Sequence, residues 1–375
     1  MINKMIKTLD YISIIMFFAI TAVLGIFMIF IRTENAEQKN TEYTDNSCIR
    51  TAEKYAEENF PFRNNWQSVY ARISKLLGNR MFGDIYLDSC NNRLIQVFSE
   101  YDSDTANSNI DAINSFFDAR SRIPCYIMLV PSASGIYHED MPESLGAIDE
   151  QKLIDEIYYD INEKIIPLDV YNPLYSMRDS YIYFRTDPYW TQMGAYEAYA
   201  ASASKLGFTA YTVSNYDVDY THVDYQGSLS RLAGIKTKRD DTINSYRGKY
   251  GSYVKSTKLR RDKQTYAKTS VYNSSGLQNS NKYSYFFGND NFKCAEIETA
   301  SENDDSLLII GTEYANCFVP FLAPHYSHIT LIDPEKFDDD DTLASFTNID
   351  EYSQIMFLYD IVSFCNSQKL NCINE

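Results

Sequence analysis

Residues 185–196 read RTDPYWTQMGAY, and residues 307–316 read LLIIGTEYAN. The apolar run of the second segment ends at Gly311 and is typical of a strand that is buried on both faces of a sheet. The first segment leads into an alanine-rich stretch, which predicts a helix over residues 194–206. Both segments therefore predict a place where the chain passes from a strand or loop into a helix.

Strands and helices are predicted to alternate along residues 84–358. Apolar runs predict strands at 84–87, 94–98, 125–130, 167–171, 306–310, 329–332 and 354–358. Amphipathic or alanine-rich stretches predict helices at 107–120, 152–166, 194–206 and 315–322. This alternation predicts an α/β domain with a mainly parallel sheet that helices cover on both faces. Ligands bind such sheets at the carboxyl ends of the strands, so we expect the two quoted segments to share one site.

A further helix is predicted to begin after Pro61, because proline ends one helix and is tolerated in the first turn of another. The spacing of Trp66, Val69, Ile73 and Leu76 places their side chains on one face of that helix. We expect this face to be the inner one.

Residues 11–31 contain no charged side chain, and a helix of that length spans the apolar core of a bilayer. Lys4 and Lys7 precede the run, so residues 1–10 are predicted to stay in the cytoplasm. A cleaved signal peptide is the alternative, but Glu34-Asn35-Ala36 is a poor cleavage site. The sequence thus predicts a single-pass protein of the cell membrane, with a tether at 32–46 and an extracytoplasmic domain at 47–375.

The chain of 375 residues has a formal net charge of −17, which argues against nucleic acid as its main partner. Residues 236–268 are an exception, because eleven Lys and Arg against three Asp give this segment a charge of +8. Lys and Arg pair with phosphate and carboxylate groups, so this basic insertion is a candidate for binding an anionic wall polymer. A solvated insertion without a binding role is the alternative.

The seven cysteines include no C-x-x-C pair, which disfavours zinc-ribbon and thioredoxin-like sites. Cys125 and Cys317 lie in apolar runs and are expected to be buried, whereas Cys365 and Cys372 are a candidate disulfide pair. His325 and His328 are interpreted as surface or turn residues, because no metal-binding motif surrounds them. We expect neither a metal nor a cofactor.

The two quoted segments together resemble the DHHW family, bacterial surface proteins with an SGNH-hydrolase-like domain related to alginate O-acetyltransferases. That family has Y-x-R-T-D-H-H-W-T-x-x-G-A-Y in the first segment and a strand followed by G-D-S-Y-A in the second. Residues 60–87 and 283–289 resemble other family blocks, and the order of blocks matches from 60 to 364. The resemblance implies a three-layer SGNH-like domain outside a bacterial membrane, linked to O-acetylation of surface polysaccharides alongside a membrane-bound O-acyltransferase.

The resemblance assigns the catalytic positions, and two of the three carry other residues. In an SGNH-type ester site a serine attacks the acyl carbon, a histidine accepts its proton and an aspartate orients the imidazole. Asp187 matches the aspartate, but Tyr189 stands at the histidine position and Glu313 at the serine position, with Thr312 just before it. A phenol with a pKa of about 10 is a poor base near neutrality, and carboxylate attack on an ester yields a more reactive anhydride. The resemblance therefore implies a catalytically degenerate protein that binds a glycan or assists another enzyme.

Three other interpretations stay open. The protein could be an active O-acyltransferase or esterase that uses a displaced nucleophile, although Ser132 and Ser134 are interpreted as turn residues with no base nearby. Asp187 and Glu313 could form a carboxylate pair of the glycoside-hydrolase type. A purely structural envelope protein is the third possibility.

Contacts around the catalytic positions can also be predicted. If serine and histidine touch in the family, the Tyr189 hydroxyl should donate a hydrogen bond to Glu313 here. The residues predicted to bind substrate are Arg185, Trp190, Thr312, Tyr314 and Asn289.

Overall fold

The computed structural model describes residues 63–261, 264–268, 270–288 and 292–374. The chain forms two units, one up to Leu77 and one from Gly78 onward. The predicted cytoplasmic segment 1–10, the anchor at 11–31, the tether at 32–46 and Asn289 lie outside the described residues. Among the residues described, no helix has the length and apolar character that crossing a membrane requires.

Helix α1 (Arg63–Leu76) belongs to the first unit and begins two residues after Pro61, as the sequence predicts. The expectation that its apolar face points inward is wrong for Val69, Ile73 and Leu76, which are 46%, 53% and 87% exposed. The side chain of Trp66 lies outside the described part. Helical spacing groups these residues on one side of the helix, but it does not show whether anything covers that side.

The second unit contains the other helices and all the strands that the structure describes. The helices are α2 (Ser103–Ala119), α3 (Ala133–Ile136), α4 (Glu150–Asp160), α5 (Tyr171–Ser176), α6 (Gln192–Leu206), α7 (Ser228–Ala233), α8 (Ala315–Leu322) and α9 (Ile361–Asn366). The strands are β1 (Met81–Phe82), β2 (Ile85–Asp88), β3 (Arg93–Gln96), β4 (Cys125–Val130), β5 (Ile166–Pro167), β6 (Tyr216–Tyr225), β7 (Asp241–Gly248), β8 (Val254–Arg261), β9 (Gln264–Lys268), β10 (Cys294–Thr299), β11 (Ser306–Gly311), β12 (His328–Ile332) and β13 (Gln354–Asp360).

The fold is mixed α/β around an eight-stranded sheet with the order β5-β4-β13-β11-β12-β10-β8-β9. The first five strands in this order are parallel, and β10, β8 and β9 continue the sheet in antiparallel fashion. The central strands β4, β11 and β13 are buried almost throughout, which explains why they read as continuous apolar runs. In the register of the core, Ile309 of β11 lies opposite Leu331 of β12 and Met356 of β13.

Two predicted elements are shorter than expected. The helix predicted over 152–166 ends at Asp160, and Ile161 is extended. Asn162 then turns the chain, its backbone N–H donating to the Asn114 side chain at 2.8 Å. The strand predicted over 167–171 is replaced by the two-residue strand β5. The Asp169 side chain accepts a hydrogen bond from the backbone N–H of Tyr171, where α5 begins, so the chain turns before residue 171.

Residues 236–268, predicted as a basic insertion, form strands of this unit. β7 pairs with β6 in a two-stranded ribbon, while β8 and β9 extend the antiparallel end of the main sheet. Along β8 the side chains of Val254 and Leu259 are buried, whereas Lys255 and Lys258 are exposed. Its lysines therefore face solvent while its apolar residues pack on the core.

Four neighbouring parallel strands bring their carboxyl ends to one edge of the sheet. After β4 the chain passes to Ser132, after β11 to Thr312 and Glu313, and after β12 to Asp333. Strand β13 ends at Asp360, whose carboxylate caps α9 by accepting from the backbone N–H of Ser363 at 2.9 Å. The predicted site edge is thus polar where the strands leave the apolar core.

His325 lies in the turn that follows α8, in keeping with its interpretation as a surface or turn residue, but its side chain is buried. Its ring stacks on Phe208 with centroids 3.8 Å apart, and its Nε2 lies 2.7 Å from the Tyr199 hydroxyl. Burial lowers the pKa of His325 to about 4. The cluster keeps a neutral imidazole within the aromatic core.

Six cysteines fall in the described part of the chain, and five of them, Cys90, Cys125, Cys294, Cys317 and Cys365, are free thiols. Cys125 and Cys317 are buried, as predicted. The suggested pairing of Cys365 with Cys372 is wrong, because Cys365 is buried in α9 while the Cys372 thiol donates to the backbone oxygen of Lys369 at 2.7 Å.

The buried histidine predicts an acid-sensitive stability. An unfolded histidine has a pKa of about 6.5, so between that pH and about 4 the unfolded chain binds more protons than the native chain at His325. From pH 7.5 to pH 5, the unfolding free energy of the wild type should fall by about 1–2 kcal/mol more than that of His325→Gln. Urea unfolding measures this difference. His138→Gln, at an exposed ring, is the control, and equal pH slopes for wild type and His325→Gln would contradict the account.

Candidate functional site

A cleft of about 540 Å³ opens at the carboxyl edge of the sheet. Residues that follow β4, β11, β12 and β13 line it, together with Pro188 and Tyr189 from the first quoted segment. The two segments that the sequence singles out therefore do share one site. The size lies within the range of about 300–1,000 Å³ that is usual for ligand pockets.

Glu313 lies in this cleft and binds two partners. The Tyr189 hydroxyl donates to its Oε2 at 2.5 Å, and the Lys336 ammonium group donates to its Oε1 at 2.6 Å. The predicted contact between Tyr189 and Glu313 is thus present. Both side chains of the ion pair are largely buried, with 15% of Glu313 and 28% of Lys336 exposed. Each carboxylate oxygen of Glu313 therefore accepts a short hydrogen bond.

Tyr189 contacts two aromatic rings in addition to Glu313. Its ring stacks on Tyr283 with centroids 4.2 Å apart and meets the edge of Tyr314 at 5.5 Å. Burial raises the pKa of Tyr189 far above its ordinary value, and the neighbouring Glu313 carboxylate raises it further. The residue at the base position therefore keeps its own proton and acts as a donor.

Asp187 is turned away from the other two catalytic positions. It is 2% exposed, does not line the cleft, and accepts hydrogen bonds from the Tyr225 hydroxyl and, at 2.7 Å, from the Ser228 hydroxyl. Gly227 packs so closely against this carboxylate that a Cβ at that position would collide with it. Burial raises the pKa of Asp187 to about 6, although Tyr225 and Ser228 oppose the shift. Among the described residues, its hydrogen bonds join it to neither Tyr189 nor Glu313, which also disfavours a glycosidase-like carboxylate pair.

Thr312 lines the cleft beside Glu313. Its Oγ1 donates a hydrogen bond to the Asp360 carboxylate at 3.1 Å. Burial raises the pKa of Asp360 above its ordinary value. Thr312 therefore holds the loop after β11 against the end of β13.

Ser132 has a carboxylate partner, contrary to the expectation that no base is near. Its Oγ donates to Oε1 of Glu150 at 2.6 Å, and its backbone N–H donates to Oε2 at 2.7 Å. Glu150 is 1% exposed, and burial raises its pKa to about 7. Ser132 lines the cleft, whereas Glu150 lies behind it. Ser134 is fully buried, and its hydroxyl accepts from the backbone N–H of Phe98.

Two of the predicted substrate-binding residues are placed differently from expectation. Trp190 is completely buried, with its indole N–H bonded to the backbone oxygen of Tyr314 at 3.0 Å, so it cannot form an exposed aromatic wall. Arg185 lines a separate pocket and not the cleft. Tyr314 does line the cleft, and its hydroxyl donates to the backbone oxygen of Pro188 at 2.7 Å. Asn289 lies outside the described residues.

The cleft is acidic. Among the described residues, its lining carries six carboxyl groups and one ammonium group, that of Lys336. Burial raises the pKa of Asp333 well above its ordinary value, although Lys336 opposes this shift. No group of three or more His, Cys, Asp or Glu in the described part of the chain is placed to hold a metal ion.

The residues that sequence reasoning missed are Lys336, Asp333, Asp360 and the Ser132–Glu150 pair. Asp333, Asp360 and Ser132 come directly after, or at the end of, the apolar runs that predict β12, β13 and β4. Inspecting the first polar residues after every predicted strand would have found these three. Lys336 and Glu150 give no comparable signal, because their partners lie 23 and 18 residues away along the chain.

The Tyr189–Glu313 contact predicts a measurable coupling energy. Removing either side chain leaves the other polar group partly buried without this partner, so Tyr189→Phe and Glu313→Ala should be non-additive by about 1–2 kcal/mol. A double-mutant cycle of urea unfolding at pH 7 measures this value. Tyr181→Phe with Glu313→Ala is the control and should be additive, because the Tyr181 hydroxyl bonds to Asp241. Additivity of the first pair would show that the contact does not exist in solution.

The chain is similar to one family model and to several proteins of known structure. The family model described as DHHW protein matches residues 38–332. A DHHW family protein from Eubacterium siraeum has a similar structure, with 22% identity, a TM-score of 0.62, and coverage of 75% of this chain and 95% of that one. Bacillus cereus PatB1, solved with a sulfonyl adduct, aligns at 16% identity and a TM-score of 0.62, covering 77% of this chain and 97% of its own. The O-acetyltransferase domain of Pseudomonas putida AlgJ aligns at 12% identity and a TM-score of 0.46, covering 75% and 91%.

No curated protein sequence matches the chain. The family match covers well over half of the 375 residues, and it includes both segments from which the site is built. The chain belongs to the DHHW family.

Proposed function

We propose that this chain is a catalytically degenerate member of the DHHW family, with the three-layer SGNH-like architecture, that acts in O-acetylation of a bacterial surface polysaccharide. It binds the glycan in the cleft, or it accompanies a membrane-bound O-acyltransferase, and does not turn over esters itself. The predicted helix at 11–31 would anchor it in the cell membrane, with the domain on the extracytoplasmic side. The link to O-acetylation rests on the family resemblance. The degeneracy rests on the site.

The observation that carries the proposal is the chain of contacts Tyr189–Glu313–Lys336. Both oxygens of Glu313 accept hydrogen bonds, which lowers their nucleophilicity, and carboxylate attack on an ester would yield a more reactive anhydride. A base needs a vacant site for a proton, and Tyr189 keeps its own. Asp187, which the family resemblance assigns to orienting an imidazole, binds Tyr225 and Ser228 instead. Each position supports packing and not acyl transfer.

The charge of the cleft defines the part of a glycan that it suits. Six carboxyl groups against one ammonium group disfavour an anionic sugar unit at this position, even though burial raises the pKa of Asp333 and Asp360 and so favours their neutral forms. Hydroxyl groups can donate to these carboxylates, so we assign the cleft to a neutral, hydroxyl-rich segment of a polysaccharide. The anionic wall polymer suggested by the basic segment 236–268 would have to bind elsewhere on the molecule.

A second candidate function, an active O-acyltransferase or esterase, is favoured by Ser132 and Glu150. A buried carboxylate whose pKa is near 7 can accept the proton of the hydroxyl that it touches. In this mechanism the Ser132 oxygen attacks the acyl carbon, its proton passes to Glu150, and the alcohol leaves with a proton returned from Glu150. The competing structural role is that Glu150 also accepts from the backbone N–H of Ser132 and so fixes the turn after β4.

Glycan binding is tested by closing the cleft. Val362 lines the cleft and is partly exposed, so Val362→Arg should fill it and weaken binding about tenfold or more. The ligand is the surface polysaccharide purified from the native cells, and cosedimentation with the full-length chain measures binding. Val213→Arg makes the same change at a valine that is 46% exposed outside the cleft, and should stay within about twofold of the wild type. Equal binding by all three proteins would exclude the cleft as the glycan site.

Ester turnover distinguishes the two candidate functions. The full-length wild-type chain should hydrolyse 4-nitrophenyl acetate no faster than the Glu313→Ala, Asp187→Ala and Ser132→Ala variants do. Turnover lost in Glu313→Ala or Asp187→Ala would overturn the degenerate site. Turnover lost in Ser132→Ala but kept in Glu313→Ala would favour the second candidate. In that case a sulfonyl fluoride should modify Ser132, which peptide mass spectrometry can locate.

A further inference from the structure

A separate pocket of about 290 Å³ is lined by residues 179–181 and 183–185, which precede the cleft residues Pro188 and Tyr189 in the chain. Pro188 and Tyr189 line the cleft, whereas Arg185 lines this second pocket together with Arg93 and Arg239. Three guanidinium groups around one small pocket are unusual in a chain whose formal net charge is −17. We call this site the arginine pocket.

Arg185 is fixed by stacking and not by an acidic partner. Its guanidinium carbon lies 4.3 Å from the centroid of the Tyr181 ring. The Tyr181 hydroxyl donates to the buried carboxylate of Asp241 at 2.7 Å, and the backbone N–H of Arg185 donates to the same oxygen at 2.7 Å. Asp241 therefore fixes both the ring and the backbone of the arginine, while the guanidinium makes no ion pair or hydrogen bond within the described residues. Its planar set of N–H donors is pre-positioned for an acceptor from outside.

The other two arginines differ in how far their charge is already compensated. Arg93 lies over the Tyr137 ring at 3.7 Å and pairs with Asp88 at 3.4 Å and Asp140 at 3.9 Å, so it mainly shapes the wall. Arg239 is exposed at the rim, and its guanidinium likewise makes no ion pair or hydrogen bond in the part of the chain that the structure describes. Asp179 is the acidic residue of the lining and offsets one of these charges. Arg185 and Arg239 are therefore the two guanidinium groups of the lining whose hydrogen-bond donors are not already used by an acidic side chain of the described residues.

We propose that the arginine pocket binds one oxyanion-bearing unit of a surface polymer, with Arg185 gripping the carboxylate or phosphate group and Arg239 adding charge at the rim. Guanidinium groups bind such oxyanions through two parallel hydrogen bonds, which gives geometric selectivity as well as affinity. A volume of about 290 Å³ suits a single unit and not a long chain segment. The carboxylate of a uronic acid and the phosphate of a polyol phosphate share this chemistry.

This site is independent of the proposed function of the cleft. The acidic cleft suits a neutral segment, and the arginine pocket suits an anionic unit, so one polymer could contact both sites. Binding at the arginine pocket does not require Glu313 or Val362. Failure of either proposal therefore leaves the other standing.

The test titrates the full-length chain with an oligogalacturonate and, separately, with an oligomer of glycerol phosphate. A neutral malto-oligosaccharide of similar length is the negative probe, and isothermal titration calorimetry measures Kd at low and at physiological salt. Arg185→Gln should weaken binding of the active probe about tenfold or more, and Arg185→Lys should recover only part of this loss, because it restores the charge but not the planar fork. Arg239→Gln should have a smaller effect, about threefold.

Lys238→Gln is the matched control, because it removes the same charge from the neighbouring exposed residue, which does not line the pocket. It should change Kd by less than about twofold. Thermal unfolding of each variant shows whether it remains folded. Binding of one anionic probe alone would identify the oxyanion, and binding of both would identify the shared chemistry. No binding of either probe by the wild type, or an equal loss in Lys238→Gln and Arg185→Gln, would overturn the proposal.

Discussion

Glu313 stands at the end of a buried strand, at the position where the DHHW pattern has serine. A partly buried carboxylate at this position requires hydrogen-bond donors, and Glu313 has two. The Tyr189 hydroxyl and the Lys336 ammonium group bind one oxygen each, at 2.5 and 2.6 Å. A partly buried carboxylate without such donors would be destabilising by about 1–3 kcal/mol. The substitutions at positions 189 and 313 are therefore compatible as a pair, since a phenol can donate to the carboxylate. The loop after β11, the first quoted segment and the turn after β12 all meet at this one side chain.

The same contacts support the proposal that the site does not carry out SGNH-type ester chemistry. Tyr189, at the position of the family's base, donates a hydrogen bond and keeps its proton, and each oxygen of Glu313 accepts one hydrogen bond. Asp187 belongs to a separate buried group with Tyr225 and Ser228, which positions the backbone around Gly227. Ser132, which binds the buried Glu150, lines the cleft at the end of β4, so the second candidate function would place the nucleophile on a different strand from Glu313.

Sequence patterns predict the parts of this molecule that depend on local burial. The strands β4, β11 and β13 contain continuous apolar runs, which are typical of a sheet buried on both faces. The meeting of Tyr189 with Glu313 follows from their positions in the DHHW pattern, although 124 residues separate them. Strand β8 is harder to predict, because exposed Lys and Arg residues lie between its buried side chains, and no residue of β9 is buried.

The directions of several side chains near the site could not be predicted, because the spacing of residues in the sequence does not show which side of the backbone faces solvent. Trp190 follows the catalytic positions in the chain, yet it points into the core and packs on Phe318. Arg185 precedes them and points into a different pocket. Lys336 reaches Glu313 from a turn after another strand, so its role depends on strand order, and a single sequence does not contain that order. The central claim, that the residue at the base position holds its own proton against Glu313, concerns one phenol. With tyrosine labelled at ¹³Cζ and the Tyr189 resonance assigned by Tyr189→Phe, NMR titration should show this carbon unchanged up to about pH 11, above the ordinary tyrosine pKa of about 10. A Tyr189 resonance that titrates near pH 10 or below would contradict the account.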